Sequence, residues 1–223
     1  MTVYRSFAAD FPLRCKDLLM ILEEIAYARD REVTLLLALA TAAFVIPYER
    51  LRPQDLNREE HPSADRQAFA EASHALDSLL GERFRRSRFH QHGPHPTPWR
   101  WVRLDPGLAG EQLKSAFNRE WMPLKPTFKV RQFLNHIRNA LAHGNIYVDG
   151  DQAIQQIILL SRPDITVDQY DALMCPPDAF RNFIVTWIDF LAGCPFPPEA
   201  MPVFTMPLPQ LTELQGANLT HRS

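Results

Sequence analysis

Glycine is scarce in this chain, 8 of 223 residues, where an average composition would supply about 16. That argues against a β fold turned at glycines and in favour of long helices, which tolerate few interior glycines. Cysteine is thin as well. Cys15, Cys175 and Cys194 are odd in number and far apart, which speaks against a disulfide framework and leaves no metal-type cysteine pair. Neither sign of charge dominates, because 24 Lys and Arg against 26 Asp and Glu give a formal −2. The molecule as a whole is not a polycation for nucleic acid, and any basic surface is local. A long hydrophobic run is missing too. The longest, residues 33–46, holds 14 residues including Thr34 and Thr41, against the roughly 20 needed to cross a bilayer, and reads as a buried core helix. Residues 1–6 lack the charged-then-apolar layout of a signal peptide. The expectation is a cytoplasmic protein without a membrane partner.

What the chain does have is proline, 19 residues where about 11 would be usual, placed between periodic segments. Leu13, Leu18, Leu19, Leu22, Ile25 and Ala26 follow Pro12 at helical spacing, with Pro12 in the first turn. A second helix over 33–46 ends before Pro47. After a polar connection at 53–62, Ser63 resembles an N-cap for a third helix, striped by Phe69, Ala72, Leu76, Leu79 and Leu80 and stopped at Gly81. Residues 82–110 read as an inserted loop rich in Arg, His, Pro and aromatics, with a short strand or helical turn around Trp101. Residues 111–120 suggest a short helix. A helix opened by Pro126 runs to His143, residues 144–161 form a β-hairpin turned at Asp149-Gly150-Asp151, and a last helix spans 177–191. From 194 to 223 the prolines continue without periodicity, as a docked extended tail or a disordered one. The fold class expected is all-α: an antiparallel helical bundle over 1–193 with a small β-hairpin after the fourth main helix.

Chemistry concentrates on the helix ending at His143. Val130, Phe133, Leu134, Ile137 and Leu141 make its apolar side, while His136, Asn139 and His143, spaced three and four apart, share another. Arg138 lies on the opposite flank, five residues before His143. One helix does not easily bring the two together unless its end unwinds at Gly144 or a second chain contributes, and a symmetric pairing of two copies is a sensible way to gather Arg and His in one cleft. His136 either extends that site toward RNA or is a surface or interface histidine. Arg83, Arg85, Arg86 and Arg88 with Phe84 and Phe89 suit RNA phosphates and base stacking; they suit equally a helix end with solvated arginines and two buried phenylalanines. His90, His92 and His95 lack the carboxylate or cysteine companions of a metal site. Asp149 and Asp151 are better explained by a turn than by a metal pair. No nucleophile elbow, phosphate-binding glycine loop or zinc-protease helix occurs.

The run Ile137-Arg138-Asn139-Ala140-Leu141-Ala142-His143-Gly144 resembles the signature of the HEPN superfamily (higher eukaryotes and prokaryotes nucleotide-binding): Arg, a polar residue, then His after four to six intervening positions, near the end of a late helix in a helical bundle. The order of elements extends the likeness over about 11–191. The resemblance implies a metal-independent endoribonuclease without cofactor, a toxin or phage-defence effector working on RNA as a homodimer with a composite site of Arg138, Asn139 and His143, and with an antitoxin or defence protein as a further partner. It also admits members that only bind nucleotide, RNA or protein. Some paired toxins carry a tyrosine two residues after the His; here that position is Asn145, and Tyr147 lies four after, which does not fit that mode of neutralisation.

Overall fold

The computed structural model describes residues 7–52, 70–90, 98–104, 120–150, 153–162 and 169–195. The connection at 53–62, the cap at Ser63, His92, His95, Asp151, the helix expected at 111–120 except its last residue, and the tail beyond 195 lie outside these.

The first helix, α1 (Phe7–Tyr27), begins early enough to place Pro12 inside it rather than in its first turn. A short turn follows, in which Asp30 takes φ 53°, a left-handed conformation that Asp tolerates better than most side chains. Next, α2 (Glu32–Ala40) does not stop before Pro47. It widens into a π-helical turn, Thr41–Val45, and continues as α3 (Ile46–Leu51). Pro47 has no amide to offer the Ala43 carbonyl, and its ring would crowd that carbonyl in a regular helix. The wide turn relieves the crowding, and the Trp187 indole N–H donates to the Ala43 oxygen at 2.9 Å. The combined helix Glu32–Leu51 is, by its 20 residues and composition, long and apolar enough to cross a membrane, yet half of it is buried within this fold.

Three further helices complete the helical layer: α4 (Ala70–Gly81), α5 (Val130–His143) and α6 (Pro177–Ala192). α6 lies antiparallel to α1: Arg181 grips the Glu23 carboxylate near one end, and Lys16 bonds Asp189 at 2.5 Å near the other. Phe133 of α5 is the centre of an aromatic cluster with Phe84, Phe89, Trp99 and Phe183, at ring distances of 4.5, 6.1, 4.7 and 5.7 Å.

The fold is mixed α/β and not the all-α bundle expected from the sequence. Five strands, β1 (Arg100–Arg103), β2 (Met122–Pro123), β3 (Ile146–Asp149), β4 (Gln156–Ser161) and β5 (Asp171–Cys175), form one antiparallel sheet in the order β2-β1-β5-β4-β3. The hairpin β3–β4 exists as expected, but it is the outer part of this sheet. β4 reads Gln-Ile-Ile-Leu-Leu-Ser because both of its faces are covered. Ile157 and Leu159, with Leu173 and Cys175 of β5, join the helical core. Ile158 and Leu160 join a second small core with Val102, Leu104 and Ala172. β5, Asp-Ala-Leu-Met-Cys, carries no β-branched residue and little alternation; its pairing with β4 and β1, rather than local preference, makes it a strand.

Candidate functional site

α5 begins where Lys129 takes an extended backbone and its amide donates to Gln132 Oε1 at 2.9 Å, one half of a capping box. Its buried stripe, Val130, Phe133, Leu134, Ile137 and Leu141, packs toward the aromatic cluster and β4. The helix ends at His143 because Gly144 turns left-handed, φ 65°. The Gly144 amide returns to the Leu141 carbonyl at 3.3 Å and the Asn145 amide to Ala140 at 2.9 Å, the two bonds of a Schellman end. The Asn145 carbonyl then accepts from the Leu160 amide at 2.9 Å, which locks the end of α5 against β4.

Arg138 is half-buried. Its Nε donates to Glu49 Oε1 of α3, and one terminal nitrogen donates to Asn139 Oδ1 at 2.7 Å. The Asn139 amide donates in turn to Ser161 Oγ of β4 at 3.3 Å. Glu49 is shared, since Arg52 lies 3.0 Å from its other oxygen. A chain of polar groups, Arg52–Glu49–Arg138–Asn139–Ser161, thus runs from α3 across α5 to the sheet. His143 stands one turn beyond Asn139 on the same side, exposed, and no hydrogen bond to its ring occurs among the described residues. Arg138 and His143 do not meet within one chain. Five helical steps separate them by about 140° around the axis and about 7.5 Å along it.

His136 is not the surface or RNA-facing histidine that its sequence position allows. It is buried, and its Nε2–H donates to the Leu159 carbonyl at 2.7 Å. Burial pushes its pKa down to about 4, against the smaller opposing effects of that hydrogen bond and of Asp171. The ring therefore stays neutral, with the proton on Nε2, and ties α5 to β4.

Of the two readings of the segment after Gly81, the structure has the phenylalanines inside: Phe84 and Phe89 are core and take no part in base stacking. Arg83, Arg85, Arg86 and Arg88 are exposed. Arg83 pairs across from Lys129, at the start of α5, so in one chain this basic group lies about 20 Å along the helix from His143. Arg88 lies over the Phe190 ring at 5.2 Å, and Arg85 reaches the Leu124 carbonyl at 3.3 Å.

Glu49, Ser161 and the Tyr48–Asn135 pair, joined at 2.6 Å, escape a reading by motif. The signal for Ser161 is a polar residue closing an apolar strand; nothing local marks Glu49. Among the described residues no group of three or more His, Cys, Asp or Glu could hold a metal ion, and His90 packs edge-on against Phe84. Burial pushes the thiols of Cys15 and Cys194 up to about 11 and raises that of Cys175, which makes all three poor nucleophiles.

No curated protein and no solved structure matches the chain significantly. A protein-family model described as HEPN pEK499 p136 matches residues 1–193, a span that takes in both core layers and ends just past α6. The Arg138–His143 pair at the closing turn of α5 lies within that match, and the chain belongs to the HEPN superfamily.

Proposed function

We propose that the chain is a metal-independent endoribonuclease, a cytoplasmic toxin or phage-defence effector, whose site is completed by a second copy. The observation that supports this most is the contrast along α5. The guanidinium of Arg138 is fixed from two sides with part of its donor fork unused, while the His143 imidazole stands open to solvent on the Asn139 side.

A neutral imidazole takes the proton from the ribose 2′-OH. The 2′-oxygen forms a bond to phosphorus, and the Arg138 fork donates to the non-bridging oxygens as their charge grows. The bond from phosphorus to the 5′-oxygen breaks, and that oxygen takes the proton from the imidazolium just formed. The products are a 2′,3′-cyclic phosphate and a 5′-hydroxyl, with no net consumption of protons. Asn139 positions Arg138 through its Oδ1. The exposed arginines 83, 85, 86 and 88 bind the strand farther along.

The test is cleavage of single-stranded RNA in EDTA, with an all-deoxy strand as control. The purified protein cuts RNA to cyclic-phosphate ends and leaves DNA intact, and His143→Ala loses this without unfolding. Undiminished cutting by the variant removes His143 from the mechanism. The second reading, a non-catalytic module that binds RNA, nucleotide or a partner protein, draws on the engagement of Arg138 by Glu49. It predicts that expression of wild type and of Arg138→Ala slows growth equally, or not at all.

A further inference from the structure

Arg131, Asn135 and Arg138 are spaced four and three residues apart on α5, so they line up on one side of the helix. That side meets the end of α3, through the Tyr48–Asn135 bond and the Glu49–Arg138 pair. Arg52 closes the group from beyond α3, at 3.0 Å from Glu49. Two guanidiniums thus hold one carboxylate, and Arg131, two turns before Arg138 on the same side of α5, adds a third positive charge, for a local formal charge of +2 on a molecule whose total is −2. Burial holds the Tyr48 phenol in its neutral form, with Arg52, Arg131 and Arg138 opposing that electrostatically and Glu49 adding to it. The group is open to solvent: the side chains of Arg52, Glu49 and Arg138 are 25%, 30% and 20% exposed. Arg131 is exposed too, with no ion pair among the described residues.

A carboxylate held between two guanidinium forks has the geometry of a phosphate held the same way, since both present paired oxygens to planar donors. The phosphate has the advantage where, as here, positive charge is in surplus. We propose that the place Glu49 fills between Arg52 and Arg138 is a seat for an RNA backbone phosphate, that Arg131 holds a neighbouring phosphate along the same side of α5, and that RNA displaces Glu49 from the seat. Displacement would also release the Arg138 Nε–H, completing its fork only when a strand is bound. The identity of the strand rests on the ribonuclease reading above; the seat itself rests on the arginine group.

The experiment measures binding, not cutting. In the full-length His143→Ala background, fluorescence anisotropy of a labelled single-stranded oligouridylate is followed as KCl is raised. Removing one arginine–phosphate pairing lowers the slope of log affinity against log salt by about 0.7. Arg131→Ala and Arg52→Ala are each expected to show that drop, and Arg29→Ala, on the α1–α2 turn, none. Glu49→Gln is expected to bind about two- to fivefold more tightly, the worth of one screened surface charge. Arg131 lies on the surface, so its variant folds even if Arg52→Ala does not. An unchanged slope for Arg131→Ala, no tightening by Glu49→Gln, or no RNA binding at any salt overturns the proposal. Shifted slopes with a wild type that cuts nothing would sink the ribonuclease reading and leave the seat; cutting with unshifted slopes would do the reverse.

Discussion

Arg138 and His143 turn away from each other in a single chain, the first toward Glu49 of α3 and the second into solvent past the last turn of α5. In the proposed composite site the two residues come from different chains, which makes them separable. Arg138→Ala and His143→Ala should each lose at least about 100-fold in RNA cleavage. Mixing the two variants and allowing the subunits to reassort should restore part of the lost rate. A mixture as inactive as its components places catalysis elsewhere.

His136 makes stability depend on acid. Its folded pKa, about 4, lies below the roughly 6.5 of an unfolded histidine, so the unfolded chain binds the proton more readily. The stabilisation is present above about pH 6.5 and is lost as pH falls toward 4, by up to about 3 kcal/mol. Urea titrations at pH 7 and pH 4.5 measure it; in His136→Gln this part of the acid loss should vanish.

Trp187→Phe keeps an aromatic ring against Phe44 and Tyr48 but removes the indole N–H from the Ala43 carbonyl. Pro47 supplies no amide in its place, so the change should cost about 1–3 kcal/mol. The denaturation midpoint should fall with an unchanged slope.

Gly144→Ala meets no atom within 4 Å of the added carbon, so any cost is conformational. At φ 65° that cost is about 1–2 kcal/mol. Because the same residue ends α5 just after His143, cleavage should fall further than stability alone accounts for, and comparing activity at full folding with the thermal midpoint separates the two effects.

The motif helix is legible in the sequence because its apolar stripe, its polar flank and its glycine stop agree. The hairpin is legible from the β-branched and apolar residues around Asp149 and Gly150. The rest of the sheet is not. β5 is built of Ala, Leu and Met, residues at home in helices, and its strand state exists only through β4 and β1. The continuation of α2 through Pro47 is equally invisible, since proline normally marks a helix end and the compensating donor, Trp187, lies 144 positions from the Ala43 carbonyl it bonds. For the candidate site, Arg138, Asn139 and His143 come from the resemblance of their run to the HEPN signature. Glu49 cannot, because its partnership with Arg138 spans 89 positions. The burial of His136 follows from the strand that covers it.

The π-helical turn at Thr41–Val45 sets the phase of everything after it. A wide turn holds about one residue more than a regular one, and one residue is about 100° of rotation around a helix axis. Deleting a single residue from 41–45 would rewind the segment to ordinary pitch and swing Tyr48 and Glu49 off the α5 side together, uncoupling Asn135 and Arg138 while leaving both of those residues unmutated. The orientation of the arginine group is thus governed by a helical irregularity that itself carries no functional side chain.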